Sequence, residues 1–379
     1  MVVARGRVRE FSARQAYDRR MPERSQGTGA AEQRLRPNRL DPLSDPAWRA
    51  FLDRSPDASI FHHPAWLRLL HDHYGYEVQA RCVSEDGRGL VGGLPVARVS
   101  SRLTGKRLVA LPFSDICPPL VAGADREGPL DALAAMLAAE RRQSGLDIEI
   151  HAEMPGIDSA FVVHRFHQHV LPLQADVQAV ESNFSKSQVK RGIAKARREG
   201  LVAERRTDRD ALEDFYRLHL QTRRRQGVPT QPKRFILSFA DLFEGGLGFV
   251  LLVRLEELPV AAAVFLTFKD TITYKYGASD ARHLNRRPNN LLFAEAIRWA
   301  CEDGFRSLDF GRTNLDNPGL ASFKRSWGAV ESELGYTYLC DEPPSTEAVL
   351  QNRIMAGVIT RSPRGVGRLV GEALNKHFG

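Results

Sequence analysis

Between residues 248 and 278 three apolar runs, 248–255, 259–267 and 271–278, are joined only by Glu256-Glu257-Leu258 and Lys269-Asp270. Connections that short make antiparallel hairpins, whereas parallel strands need crossovers of about a dozen residues or more. A long helical pattern at 288–303 comes after the third run, then a strand at 307–310, a helix at 319–327 and a strand at 332–339. An antiparallel meander must therefore share a sheet with strands that helices deliver, which defines an α/β fold with a mixed sheet. Ahead of the meander the pattern predicts a basic helix at 187–199 ended by Gly200, a strand at 201–206, and helices at 208–226 and 232–243.

The first half repeats this theme less regularly. Asp45-Pro46 caps a helix running through Arg54, a second helix spans 64–74, and strands are expected at 77–84, 90–99 and 107–111. A helix at 130–142 and strands at 147–152 and 161–171 complete it. We expect two α/β domains, 40–175 and 176–342, with 343–379 as a helix and a loose tail. No window of about 18 uncharged apolar residues occurs, so no membrane span is expected. Arg5, Arg7 and Arg9 are followed by no apolar signal region, which points to the cytoplasm. Cys82, Cys117, Cys301 and Cys340 are far apart and read as reduced thiols.

The net charge of +8 is unevenly placed: residues 1–39 carry +6 and residues 183–234 carry +9, leaving the remainder at −7. Residues 1–39 are rich in Gly, Ser, Gln and Pro without helical or strand period, so they are expected to be a disordered basic arm that contacts a membrane surface. A start at Met21 explains the arm equally well. The second basic block carries apolar residues at helical spacing and belongs to a folded surface facing an anion, with Lys190 and Arg191 as its candidates. Nucleic acid, phosphates and acidic glycans all fit this charge. Basic residues are not interleaved with aromatics, which argues against generic single-strand binding, and DNA is not an expected partner. His62, His63, His71 and His73 lack a third ligand at helical spacing, so no metal is expected.

The order of elements in the second half resembles the GNAT superfamily of acyltransferases, in which donor phosphates meet the N-terminus of the helix after the meander. That helix begins Arg286-Arg287-Pro288-Asn289-Asn290-Leu291. Asn289 and Leu291 stand where the superfamily has small residues that let a pyrophosphate approach the backbone, which counts against a conventional acetyl-coenzyme A enzyme. The strings 273–279 (TYKYGAS), 308–312 (LDFGR) and 319–328 (GLASFKRSWG) resemble FemAB-type proteins, and 61–67 (FHHPAWL) with 111–115 (LPFSD) resemble that family's opening domain. The resemblance implies two GNAT-like mixed-sheet domains in tandem. It also implies transfer of an acyl or aminoacyl group to an amine of a peptidoglycan or polysaccharide precursor. The donor would be an acyl-coenzyme A or an aminoacyl-tRNA, with no tightly bound cofactor. The long coiled-coil arm of some FemAB members has no room between Arg206 and Asp241.

Transfer to an amine needs stabilisation of the tetrahedral oxyanion and a path for the departing proton. By resemblance Lys324 is the candidate for the oxyanion, against an exposed lysine on an amphipathic helix. Asp309, at a strand end, is the candidate to orient or deprotonate the amine, against a structural ion pair with Arg312. Arg287, Asn289, Asn290 and Tyr276 are the donor-binding candidates; Tyr274 and Tyr276 are expected on one strand face with Lys275 on the other. Arg312, Asp115, Lys190, Arg191, Phe323 and Trp327 are the candidates for holding the acceptor, with core packing as the competing role of the two aromatics. An acyl-coenzyme A N-acetyltransferase acting on a sugar or small amine, and a precursor-binding protein without turnover, remain open at this level.

Overall fold

The computed structural model describes residues 35–101, 105–157 and 159–343; the remainder of the expected basic arm and the tail lie outside the described residues. The first half contains β1 (Leu35–Leu40), α1 (Pro46–Arg54), α2 (Pro64–Tyr74), β2 (Glu77–Glu85), β3 (Gly89–Ser101), β4 (Gly105–Ala110), β5 (Leu120–Val121), α3 (Glu127–Ser144), β6 (Asp147–Ile150) and β7 (Phe161–Pro172). The second contains α4 (Val177–Ser182), α5 (Arg191–Arg198), β8 (Leu201–Arg206), α6 (Arg209–Gln226), α7 (Lys233–Leu237), α8 (Phe239–Glu244), β9 (Gly248–Leu255), β10 (Leu258–Phe268), β11 (Thr271–Ser279), α9 (Pro288–Glu302), β12 (Ser307–Asn314), α10 (Pro318–Arg325) and β13 (Val330–Leu339).

Three expectations change. The arm expected through residue 39 gives way to strand at Leu35, because β1 is an edge strand ordered by pairing with β2, and its exposed residues 36–39 carry no apolar alternation. The helix expected at 187–199 starts as a wide turn, Lys186–Lys190, before tightening into α5. The helix expected at 232–243 breaks at Ser238, whose Oγ donates to the Phe235 carbonyl at 2.8 Å and so competes with the helical backbone.

All thirteen described strands form one sheet in the order β1-β2-β3-β4-β6-β13-β7-β12-β11-β10-β9-β8, with β5 beside β3. In each half an antiparallel meander is followed by one parallel pairing, β4 with β6 and β11 with β12. The division expected near residue 175 falls after β7, yet β7 pairs with β12 and β13, and β13 also pairs with β6. The two halves therefore exchange strands at the centre of the sheet. They also share a core: Trp66 and Leu70 of α2 pack with Phe215, Phe235 and Phe239 of α6 to α8 over Val250 and Val264. On the opposite face α9 and α10 cover Phe249, Phe265 and Phe310, with Trp327 fully buried among them. Full burial of each of these side chains contributes roughly 2 kcal/mol. No described helix is long and apolar enough to cross a membrane.

One buried side chain fastens the exchanged strand. Thr337 of β13 is fully buried; its Oγ1 donates to the Ala152 carbonyl at 2.9 Å and accepts from the Met154 N–H at 2.9 Å. Thr337→Val keeps the shape but leaves the Met154 N–H without a partner, while the Ala152 carbonyl keeps only the backbone N–H of residue 337 at 3.2 Å, so we expect a loss of about 1–2 kcal/mol in urea denaturation. Unfolding should remain a single transition in both halves, because the broken contact belongs to both.

Candidate functional site

The site is made where the parallel strands of the second half part. β11 and β12 pair only from Thr271 to Thr273 against Ser307 to Asp309. Beyond that each is irregular: β11 carries a bulge opposite Val264 and Phe265, and β12 shifts register against β7 between Asp309 and Arg312. Gly311 turns the chain there with φ +70°, and a Cβ on it would lie 2.7 Å from Asp115 Oδ2. A residue without a side chain is thus needed both for the backbone and for the close approach of a carboxylate from the first half.

Lys324 reaches this turn from α10. It is only 2% exposed, and its Nζ donates to the carbonyls of Gly311 at 2.8 Å and Arg312 at 3.1 Å. Burial pushes its pKa down to about 8, opposed by the charges of Asp115 and Asp309. Asp309 accepts the Gly311 N–H on Oδ1 at 2.7 Å and the Gln168 amide on Oδ2 at 3.1 Å. Burial pushes its pKa up to about 6, against those two hydrogen bonds. Arg312 pairs loosely with Asp115 at 3.7 Å, not with Asp309 as the ion-pair alternative had it, and lies 4.5 Å over the Phe166 ring. Tyr336 OH donates to the Asp115 carbonyl at 2.6 Å and accepts from Arg312 Nη1 at 2.7 Å, while His151 stacks on Tyr336 at 4.4 Å.

The bulge overturns one expectation. Because Lys275 is the extra residue, Tyr274 and Tyr276 face opposite sides of the sheet: Tyr274 lies 5.0 Å from Phe293 of α9, and Tyr276 lies 5.7 Å from His219 of α6. Lys275 joins Tyr276 on the latter side. Its ammonium lies 5.0 to 5.4 Å from the rings of Phe61, Trp66 and Tyr276 and donates to the Phe113 carbonyl at 2.5 Å. Burial among these rings lowers its pKa. Lys275 thus holds the loop that delivers Asp115, a role no periodicity signals.

On the α9 side of the parted strands lies a cavity of about 440 Å³. Tyr274, Phe293, Phe310 and Phe323 form its apolar wall, and Lys324 and Asn289 supply polar groups. Of the sequence candidates, Lys324, Phe323 and Asn289 line this cavity, and Asp309, Arg312 and Asp115 cluster at the Gly311 turn. The others lie apart. Asn290 is buried and donates to the Gln188 carbonyl at 2.9 Å; Trp327 is buried in the core with its Nε1 unpaired. Arg287, in the left-handed conformation at φ 63°, caps α9 and is exposed, as are Lys190 and Arg191 on the neighbouring segment. Gln168, Tyr336, His151 and Lys275 were not sequence candidates. His62 and His71 spend ring nitrogens on the carbonyls of Pro118 and Tyr76 at 3.0 Å each.

With this geometry in place, the comparisons with known proteins are specific. Residues 183–325 match the family model of the acetyltransferase (GNAT) domain. Lipid II:glycine glycyltransferases of two Staphylococcus epidermidis strains are 31% identical to this chain over 96 residues, 23% of this chain and 23% of each relative. The match therefore spans less than a quarter of those proteins. The crystal structure of FemX superposes with a TM-score of 0.62 at 16% identity, covering 83% of this chain and 99% of that one. The structure of L-PGS from Bacillus licheniformis gives 0.54 at 14% identity, covering 82% and 97%. The chain is an α/β protein with a GNAT domain in residues 183–325 and the fold of FemX over most of its length.

Two outcomes test the site's packing. Gly311→Ala forces a side chain into a left-handed position and against Asp115, and should lower stability by at least about 1 kcal/mol in chemical denaturation. Asp309 has a folded pKa above its unfolded value, so its stabilising contribution is greatest at acid pH and is lost as pH rises towards about 6. Asp309→Asn should therefore raise Tm more at pH 8 than at pH 5.

Proposed function

We propose that the protein transfers an acyl or aminoacyl group to an amine of a cell-envelope precursor. The observation that carries this reading is Lys324: two of its three N–H bonds go to the carbonyls of Gly311 and Arg312, which leaves one donor for a ligand in the cavity it lines. A fixed cation with a spare donor suits an oxyanion. The names of the curated relatives, glycyl transfer to lipid II, support an amine on a lipid-linked wall precursor as acceptor. The GNAT match supports an acyl-coenzyme A donor, and the likeness to FemX supports aminoacyl-tRNA as the alternative. The GNAT match equally favours a second reading, N-acetylation of a sugar or small amine.

In the proposed step the donor's carbonyl lies in the cavity beside Lys324, with its phosphates towards Asn289 and Arg287 at the α9 N-terminus. The acceptor amine enters by the mouth of the same cavity and meets Asp115 where the strands part. Its nitrogen forms the new C–N bond, Lys324 stabilises the oxyanion, and collapse breaks the donor's C–S or C–O bond. Both oxygens of Asp309 are already engaged, so Asp309 fixes the Gly311 turn, while Asp115, with only a 3.7 Å ion pair, is the freer carboxylate to take the amine's proton. Arg312, Phe323, Lys190 and Arg191 are proposed to contact the acceptor, and Tyr276 sits on the Asp115 side. The reaction would take place in the cytoplasm.

Calorimetry with acetyl- and longer acyl-coenzymes A, and with aminoacyl-tRNA at two salt concentrations, identifies the donor. Coenzyme A binding lost in Arg287→Ala assigns the first donor; salt-dependent tRNA binding alone assigns the second. Lys324→Ala should cut transfer by roughly 100-fold or more with the fold intact; full transfer by that variant would defeat the reading. Transfer should fall as pH rises above about 8, as Lys324 loses its proton.

A further inference from the structure

Large apolar side chains exposed singly on a protein surface call for no explanation, but a group of them around one opening does. Among the described residues seven are exposed: Val162, Val202, Leu258, Leu284, Leu315, Leu320 and Val330. Two of these, Leu284 and Leu320, line the cavity that holds Lys324, and Leu315 lies on the same exposed stretch as Leu320, residues 314–320. Leu284 projects from a single helical turn, Ala281–Arg286, in which no residue is buried. The mouth of the cavity is therefore bordered by two outward-facing segments, each presenting leucine.

The same rim is cationic. Arg225 lines the cavity and Arg287 caps α9; both are exposed and neither makes an ion pair among the described residues. Lys190 and Arg191, also exposed and without ion pairs there, are brought beside the α9 N-terminus by the Asn290–Gln188 hydrogen bond and by Gly192, which packs on Asn290. Arg282 and Arg286 are neutralised by Asp280 and Glu199, and Asp316 is the acid on the Leu315 stretch. Leucines flanked by free cations are the combination that seats a protein reversibly on an anionic bilayer, with the apolar groups entering the headgroup boundary and the cations meeting lipid phosphate.

We infer that the cavity mouth, through Leu284, Leu315 and Leu320 with Arg225, Arg287, Lys190 and Arg191, docks on an anionic lipid surface. The surface deepens the transferase reading, on which it rests for its purpose, because it sets the site against the membrane that would present a lipid-linked acceptor. Its existence is tested without turnover. The full chain is sedimented with vesicles of phosphatidylcholine alone and of phosphatidylcholine containing phosphatidylglycerol. It should partition onto the anionic vesicles, less so as salt rises, and a Leu284→Gln, Leu320→Gln double variant should bind about tenfold more weakly. Leu258→Gln, an exposed leucine away from the mouth, should bind as the parent does, and circular dichroism confirms that each variant is folded. No partition of the parent, or equal partition by the double variant, overturns the inference; so does binding that survives the double change and vanishes when residues 1–34 are removed, which assigns it to the basic arm. Donor binding by the parent chain, measured by calorimetry without vesicles, tests the transferase reading separately, so failure of the surface and failure of that reading are told apart.

Discussion

The exchange of strands at the centre of the sheet is the constraint on which everything else rests. β13 lies between β6 and β7, and β7 lies between β13 and β12, so the hydrogen bonds that complete each half's sheet come from the other half. Two α/β units joined by a flexible linker would leave their relative position to a small interface. Here backbone ladders fix it, and the shared core of α2 with α6 to α8 reinforces it. A first-half loop can therefore place Asp115 within ångströms of a second-half turn.

That precision is used at Gly311. Around one residue converge Asp309 and Lys324 from the second half and Asp115 from the first, all partly or wholly removed from water. Such charges are costly to bury and are tolerated where each is hydrogen-bonded or paired. Most of the bonds run to backbone groups of the turn itself, so the charges hold the turn and the turn spaces the charges. Tyr336, from the exchanged strand, props the Asp115 loop through its carbonyl, while Lys275 holds the same loop at Phe113. The polar site is thus a product of the crossing, supported from both sides of it.

The amino-acid pattern made the elements legible because helix and strand periods are local. The hairpin-short joints of β9 to β11 fixed the meander, and the caps at Asp45 and Gly200 fixed helix limits. What escaped was non-local or aperiodic. A one-residue bulge at Lys275 reverses the faces of Tyr274 and Tyr276, and alternation by itself contains no mark of it. The strand β1 was hidden by its own exposure. The exchange of β7 and β13 has no signature in either strand. Lys324 was singled out by family resemblance, since a lysine between Phe323 and Arg325 on a short amphipathic helix reads by period as solvent-facing, whereas the fold buries it. Asp115 was visible as a carboxylate in a proline-rich loop, but its partner at Gly311 was not.

The crossing also bears on how the chain is made. β13 is synthesised after every other described strand, yet it occupies an interior place in the sheet, with β6 and β7 on its flanks. While the protein emerges from the ribosome, those two strands have to wait with open edges for more than 150 residues of further chain, from the end of β7 at Pro172 to the start of β13 at Val330. Open edges are templates for pairing with other chains. Co-translational folding of this molecule is thus a race between the arrival of its own last strand and capture by a stranger's, and anything that stalls translation between those two strands lengthens the exposure.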